Sequence, residues 1–203
     1  MRIVGGTLSG RRFAGPPGNA TRPTSDRVRE AIASAIESRG GFEGARVLDL
    51  FAGTGAMAFE AISRGAAHAV LVERDAKVAR AITRSAEELG ISSQCTIVVA
   101  DLTSRGALAR IASAARGAYD RVFADPPYAD IEAVPPLLSE LRARGLLAPG
   151  AILAVEHAKR HAPARPEGFE ILSEPRCYGD TAVLLLSIHP PEIRTPDEGE
   201  ETA

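Results

Sequence analysis

Apolar and polar residues follow two alternating periods along most of this chain. From Arg46 onward, short apolar runs of strand length are separated by segments whose apolar residues recur every three or four positions. Strands are predicted at 47–51, 69–73, 96–100, 121–124, 151–156, 169–173 and 182–188. Helices are predicted at 56–63, 76–89, 107–115 and 131–144. Such alternation is typical of the α/β class, with a mostly parallel sheet covered by helices on both faces. The short Gly179-Asp180 turn predicts that the last two strands are antiparallel.

The first forty residues follow a different pattern. Residues 3–13 alternate weakly and are interrupted by glycines, which predicts a short β-hairpin. Thr24 or Ser25 is then placed to cap a helix, and Gly40 and Gly41 are placed to end it.

These patterns divide the chain into three parts. We expect an N-terminal hairpin-and-helix extension over 1–41 and an α/β domain over 42–189. The Pro- and acid-rich residues 190–203 are expected to be a disordered tail.

Composition sets limits on the class of protein. With 203 residues, 45% of them hydrophobic, the chain can bury the core of one domain. No apolar run approaches the ~18 residues of a membrane span, and the N-terminus lacks a signal-peptide core. Cys95 and Cys177 are isolated, which argues against a zinc site and fits a reducing cytosol. We therefore expect a cytoplasmic monomer without a metal.

Positive charge is concentrated at the N-terminus. Residues 1–29 contain six arginines and one aspartate, a local charge of +5, although the whole chain carries only −2. Such a basic end can bind nucleic-acid phosphates, and it can equally be a solvated surface, because the chain uses 22 Arg and only 2 Lys throughout. The candidate RNA-binding residues are Arg2, Arg11, Arg12 and Arg22.

Acidic residues fall at the ends of four successive predicted strands, namely Asp49, Glu73, Asp101 and Asp125. The carboxyl ends of parallel strands meet at one edge of the sheet, where ligands bind. Gly53 and Gly55, after the first strand, allow a tight turn ahead of a helix N-terminus. Any one acid alone could be a helix cap, and a NAD-binding fold would also place one after its second strand. The ordered set of four favours a nucleotide-type ligand.

The tetrapeptide Asp125-Pro126-Pro127-Tyr128 indicates chemistry at this edge. The prolines remove backbone N–H donors, so carbonyl oxygens and the Asp125 carboxylate are offered as acceptors. The Tyr128 ring offers a flat stacking surface. Acceptors beside a ring suit a planar group that carries an NH2, such as a nucleobase. The structural alternative is a plain turn with a core tyrosine.

Six segments together resemble a known family. They are residues 1–6 (MRIVGG), 22–30 (RPTSDRVRE), 49–55 (DLFAGTG), 72–75 (VERD), 125–128 (DPPY) and 178–181 (YGDT). The chain resembles the 16S rRNA (guanine(966)-N2)-methyltransferase family over nearly its whole length to residue 188. The resemblance implies a Rossmann-like methyltransferase fold and S-adenosyl-L-methionine as the cofactor.

The resemblance also implies a role for particular residues. The cofactor would be bound by Asp49, Phe51, Gly53, Gly55, Glu73, Arg74, Asp101 and Leu102. Residues Asp125, Pro126, Pro127 and Tyr128 would be catalytic and would hold the target guanine. The partner would be 16S rRNA or the small ribosomal subunit.

Three other functions remain open at this point. The same tetrapeptide could methylate adenine N6 in DNA or RNA, or a glutamine amide in a protein. The chain could also be a non-catalytic nucleotide-binding ribosome-assembly factor. The basic hairpin disfavours the glutamine reaction, and the intact tetrapeptide disfavours the non-catalytic function. The preference for guanine over adenine rests on the resemblance.

Overall fold

A computed structural model describes residues 1–15 and 25–188. Its strands are β1 Arg46–Asp49, β2 His68–Glu73, β3 Cys95–Val99, β4 Tyr119–Ala124, β5 Leu147–Ala158, β6 Phe169–Tyr178 and β7 Thr181–Ile188. Its α-helices are α1 Asp26–Glu37, α2 Ala56–Ser63, α3 Ala76–Leu89, α4 Ala107–Ala114 and α5 Val134–Ala143. Short 3-10 helices span Ser92–Gln94 and Tyr128–Ala133. Arg22 and the tail at 190–203 lie outside the described residues.

The strands form one seven-stranded sheet in the order β3-β2-β1-β4-β5-β7-β6. Strands β1 to β5 are parallel, whereas β7 is antiparallel to both of its neighbours. The prediction of a mostly parallel sheet with an antiparallel final pair is confirmed. Because β1 to β5 run in one direction, their carboxyl ends lie at the same edge of the sheet.

Both faces of the sheet are covered by helices, as predicted. Successive strand residues alternate between two cores: Val47 packs with α1, α2 and α3 on one face, and Leu48 packs with α4 and α5 on the other. This is the period of two expected of strands buried on both faces.

Two predicted strands were too short. Strand β5 begins at Leu147, four residues before the predicted start. The prediction missed these residues because Pro149-Gly150 interrupts the apolar pattern, at the point where the pairing with β4 shifts register. Strand β6 continues to Tyr178 rather than ending at 173. It lies at the sheet edge and its pairing with β7 shifts register twice, which hides the alternation.

One predicted helix divides in two. The segment predicted at 131–144 is a 3-10 turn followed by α5, which begins at Val134 because prolines occupy its first turn.

The N-terminal segment forms a minimal hairpin with one isolated β-bridge, between Arg2 and Arg12. Its apolar residues enter the main core. Ile3 and Phe13 are buried in the same cluster as α1 and α2, and the Phe13 ring meets the Phe59 ring edge-on with centroids 5.3 Å apart. The N-terminal segment therefore packs as part of the layer that covers one face of the sheet.

A buried glutamate ties this segment to α2. Glu60 has no solvent exposure, and its carboxylate accepts hydrogen bonds from the backbone N–H groups of Val4 and Gly5 at 2.8 and 2.7 Å. The Arg64 guanidinium contacts the same carboxylate at 2.8 Å. Arg64 also pairs with Glu30 and Glu37 on α1, so α1, α2 and the first residues form one linked unit.

Helix α1 begins at the predicted cap. The Ser25 hydroxyl accepts a hydrogen bond from the N–H of Val28 at 3.3 Å.

Across residues 1–15 and 25–188, no helix is long and apolar enough to cross a membrane. The same residues contain no group of three or more His, Cys, Asp or Glu placed to hold a metal ion.

Candidate active site

A cavity of about 510 Å³ lies at the carboxyl ends of the central strands. It brings together eleven of the twelve residues predicted to bind the cofactor or act in catalysis. These eleven are Asp49, Phe51, Gly53, Glu73, Arg74, Asp101, Leu102, Asp125, Pro126, Pro127 and Tyr128. The convergence follows from the parallel topology, since each of these residues lies at or just beyond the end of β1, β2, β3 or β4.

The glycine turn joins β1 to α2. Gly53 and Gly55 have φ angles of 53° and 78°, in the left-handed region that favours glycine. Gly55 is the predicted residue that does not line the cavity. A Cβ there would lie 2.9 Å from the Phe59 ring and 3.2 Å from Ile82, so the glycine allows close packing where α2 begins.

Glu73, at the end of β2, supports this turn. One carboxylate oxygen accepts a hydrogen bond from the N–H of Gly53 at 3.0 Å, and the other accepts from the N–H of Asp75 at 2.9 Å. A carboxylate has about four lone-pair sites, so Glu73 keeps acceptor capacity on the cavity side. The predicted role of accepting ribose hydroxyls is compatible with this geometry.

Asp49 is the most buried acid of the cavity, with 3% exposure. Burial, together with the negative charges of Asp125 and Glu73, raises its pKa to about 7, against the lowering effect of the backbone N–H groups of Ala58 and Phe51. Asp49, Glu73 and Asp125 therefore form an acidic floor that favours a cationic ligand.

Asp101, Arg74 and Leu102 form the rim near β3. The Asp101 carboxylate accepts from the N–H and the hydroxyl of Thr103 at 2.9 and 2.7 Å, and these bonds lower its pKa. The Arg74 guanidinium lies 3.8 Å from Asp130. Leu102 is half-buried and offers an apolar surface beside the two charged groups.

The tetrapeptide leaves β4 directly after Ala124. Pro126 is buried and Pro127 is exposed, and the Pro127 carbonyl accepts from the N–H of Asp130 at 2.8 Å. The Tyr128 side chain is 50% exposed. A core tyrosine is therefore excluded, and the ring is accessible to a ligand entering the cavity.

Sequence reasoning missed part of the wall. Glu156 on β5 and Thr181 on β7 line the cavity beside Tyr178, and Val28 on α1 and Ser25, which caps that helix, line it as well. Glu156 carries the same signal as the four predicted acids, an acidic residue near the end of a parallel strand, on the next strand of the sheet. The contribution of α1 has no such signal, because it depends on how the N-terminal segment packs.

Three of the predicted RNA-binding arginines, Arg2, Arg11 and Arg12, lie within the described residues, and none of these three lines the cavity. Arg2 pairs with Asp26 at 2.7 Å. Arg11 donates to the carbonyls of Leu89 and Glu88 at the end of α3, both at 2.7 Å. Arg12 is exposed.

The chemistry of the cavity fits S-adenosylmethionine. The acidic floor complements its sulfonium and ammonium groups, Glu73 offers acceptors for ribose hydroxyls, and half-buried Phe51 and Leu102 offer apolar surface for a purine. Among the eleven predicted residues that line the cavity, Arg74 at the rim is the one with a cationic side chain.

Comparison with known proteins points to one family. A model of the family described as "Conserved hypothetical protein 95" matches residues 1–187. The Haemophilus influenzae protein named "Ribosomal RNA small subunit methyltransferase D" is 30% identical over 174 residues, 86% of this chain and 87% of that protein.

Solved structures share the fold. The yhhF protein of Escherichia coli has a TM-score of 0.75 at 29% identity, covering 94% of this chain and 98% of that one. An RNA methyltransferase from Salinibacter ruber, solved with S-adenosyl-L-homocysteine, has a TM-score of 0.60 at 17% identity and covers 89% of this chain and 100% of that one. The match across residues 1–187, the Rossmann-like sheet and the acidic strand-end cavity agree: the chain belongs to the small-subunit methyltransferase D type of the Conserved hypothetical protein 95 family, enzymes that use S-adenosylmethionine.

Proposed function

We propose that this protein methylates the exocyclic N2 amine of one guanine in small-subunit (16S) ribosomal RNA, at guanine 966. One observation carries the proposal. The Asp125–Tyr128 tetrapeptide and the glycine turn line the same cavity, with the Tyr128 ring half-exposed. A surface suited to a planar amine therefore lies beside the residues suited to the methyl donor. The name of the Haemophilus influenzae relative supports ribosomal RNA as the substrate class.

When bound, S-adenosylmethionine supplies a methyl group on a positively charged sulfur. The difficulty lies with the acceptor, because the lone pair of guanine N2 is delocalised into the ring. We assign two acceptors to its N–H groups, the Asp125 carboxylate and the Pro126 carbonyl. These bonds localise the lone pair and hold the nitrogen in line for attack, and positioning of this kind supplies a large part of catalysis. The Asp125 carboxylate can also accept the proton that N2 loses.

Tyr128 would hold the base by stacking. A stacked base contributes ~1–3 kcal/mol on comparable aromatic platforms. The guanine must leave its own stack to reach the cavity, which is easiest in a single-stranded loop.

The arginines of the N-terminal segment would hold the RNA backbone. Phosphate contacts position a nucleic acid without reading its sequence. We assign this role to Arg2, Arg12 and Arg22. Arg11 has a structural partner in the end of α3, so any phosphate contact would be made from a guanidinium already held in place.

A labelling experiment tests the proposal. The protein is incubated with methyl-labelled S-adenosylmethionine and separate pools of 16S rRNA, small subunits, DNA and protein, and the labelled nucleoside is identified after digestion. We expect N2-methylguanosine from 16S rRNA or small subunits, and loss of label with Asp125→Ala. Label in N6-methyladenosine, in DNA or in protein would contradict the proposal, as would no transfer to any pool.

A further inference from the structure

Glu156 lies next to Asp125 across two neighbouring strands. Strands β4 and β5 are parallel, and Ala124 pairs with Val155, so Asp125 and Glu156 occupy the next position on each strand. Adjacent strands lie ~4.8 Å apart, which puts the two carboxylates within reach of one small planar ligand. Both side chains line the cavity, and both are partly exposed.

The strand order separates these two acids from the rest. Asp49 and Glu73 end β1 and β2 and Asp101 follows β3, on the side of the cavity assigned to the cofactor, whereas Asp125 follows β4 and Glu156 lies on β5. Tyr178 and Thr181, a pair on β6 and β7, continue the wall beyond Glu156. Glu156 therefore lies on the side of the cavity where the base would enter.

Guanine and adenine present different groups at this position. The Watson–Crick edge of guanine carries two adjacent donors, N1–H and N2–H2, whereas adenine carries the N6–H2 donor beside the N1 lone pair. An ionised carboxylate only accepts hydrogen bonds. If Asp125 holds the reacting amine, the neighbouring Glu156 carboxylate can accept a hydrogen bond from the N1–H of guanine. With adenine, the same carboxylate would be repelled by the N1 lone pair.

We propose that Glu156 is the specificity-determining residue that selects guanine, by accepting a hydrogen bond from N1–H while Asp125 accepts from N2–H. The inference rests on the proposed function and deepens it, because Asp125–Tyr128 alone suits either purine amine. Glu156 holds the base edge, and the methyl-accepting nitrogen remains at Asp125.

The test uses 2-aminopurine, which keeps the 2-amino group of guanine but has an N1 lone pair in place of N1–H. Two 16S rRNA transcripts carry guanine or 2-aminopurine at the position that the wild type modifies, and kcat/KM is measured for each. We expect the wild type to prefer guanine by roughly ten- to a hundredfold, the discrimination typical of a well-placed polar contact to a base. In Glu156→Gln, the amide can donate an N–H to the N1 lone pair, so the preference should disappear or invert.

Controls separate the possible outcomes. Glu174→Gln makes the same chemical change at an exposed residue of β6 outside the cavity lining and should keep the wild-type ratio. Thermal unfolding and cofactor affinity show whether the Glu156 variant is folded, and Glu156→Ala should lower the ratio without inverting it. An unchanged ratio in folded Glu156→Gln overturns the inference. A wild type that does not discriminate the two purines also overturns it, without any variant. If the wild type modified no guanine in rRNA, the proposed function itself would fail.

Discussion

The backbone N–H of Gly53 donates a hydrogen bond to the Glu73 carboxylate over 3.0 Å, joining the turn after β1 to the end of β2. The other oxygen of the same carboxylate holds the N–H of Asp75, the residue that caps α3. Glu73 is thus both a candidate ligand for the cofactor and a support for the loop on which the cofactor would rest. Effects of substitution at this position combine the two roles.

Glu73→Ala should weaken S-adenosylmethionine binding by tenfold or more. It removes charge-assisted hydrogen bonds worth ~1.5–3 kcal/mol and releases the Gly53 N–H. Glu73→Gln is the matched variant, because its amide oxygen can still accept from one backbone N–H, and it should lose less. Titration calorimetry measures both affinities. Unchanged affinity in Glu73→Ala would remove this residue from the site.

Cofactor affinity should rise with pH through about 7, where burial and the charges of Asp125 and Glu73 place the pKa of Asp49. A cationic ligand favours the ionised carboxylate, so binding releases a proton below pH 7. By linkage, affinity should increase about tenfold from pH 6 to pH 8 and then level off.

The same pKa predicts an opposite trend for the stability of the free protein. Because folding raises the pKa of Asp49 from 3.8 to about 7, the folded state binds the extra proton. This contribution to the free energy of unfolding is fully present below pH 4 and is lost as pH rises through 7. Asp49→Asn, measured by denaturant unfolding at several pH values, should lack this trend. Parallel curves for the two proteins would contradict the assignment.

Asp125→Ala should abolish most methyl transfer while cofactor affinity stays within a few-fold of the wild type. Asp125 is assigned to the acceptor base, and its removal also relieves the charge that raises the pKa of Asp49. Single-turnover rates and calorimetry separate the two effects. A near wild-type rate would refute the hydrogen-bonding role.

Tyr128 should tolerate loss of its hydroxyl but not of its ring. Stacking needs the aromatic face, so Tyr128→Phe should keep most activity and Tyr128→Ala should lose about five- to 150-fold in kcat/KM, as ~1–3 kcal/mol of stacking implies. Because the side chain is 50% exposed, neither change should unfold the protein. Similar losses in both variants would indicate that the hydroxyl, not the ring, matters.

Substitutions of Arg11 and Arg12 should have different effects, because Arg11 is expected to stabilise the fold and Arg12 to bind RNA. Arg12→Ala should lower the slope of log affinity against log salt by about 0.7–0.9, the value of one phosphate contact, with unfolding unchanged. Arg11→Ala should reduce the free energy of unfolding by about 1 kcal/mol, because it removes a cation from the end of α3. Filter binding at several salt concentrations and thermal unfolding measure the two effects. Equal salt slopes for the wild type and Arg12→Ala would make Arg12 an ordinary surface charge.

The sequence was most informative where topology alone determines proximity. The proximity of four acids could be predicted from the sequence, because the carboxyl ends of parallel strands lie at one edge of the sheet. These acids are Asp49, Glu73, Asp101 and Asp125. The same rule applied to β5 would have included Glu156.

Other features depend on contacts that no local pattern encodes. Arg11 meets the carbonyl of Leu89 across 78 residues, and Glu60 meets Val4 across 56. The spacing of apolar residues within single helices and strands predicts neither contact, because each depends on how the N-terminal segment packs against α2 and α3. The charge of the N-terminal segment alone therefore does not reveal that Arg11 has a structural partner at the end of α3.

The Glu60–Arg64 linkage limits how this protein can be recombined. Helix α2 begins at the glycine turn, and its buried Glu60 relies on the first residues of the chain for two of its hydrogen bonds. Exchanging the N-terminal segment with that of a relative would require matching backbone geometry at Val4 and Gly5 and matching carboxylates for Arg64 on α1. A graft without that match would leave an unpaired buried charge on the helix that begins at the glycine turn, so exchanging the N-terminal segment would also disturb the proposed cofactor site.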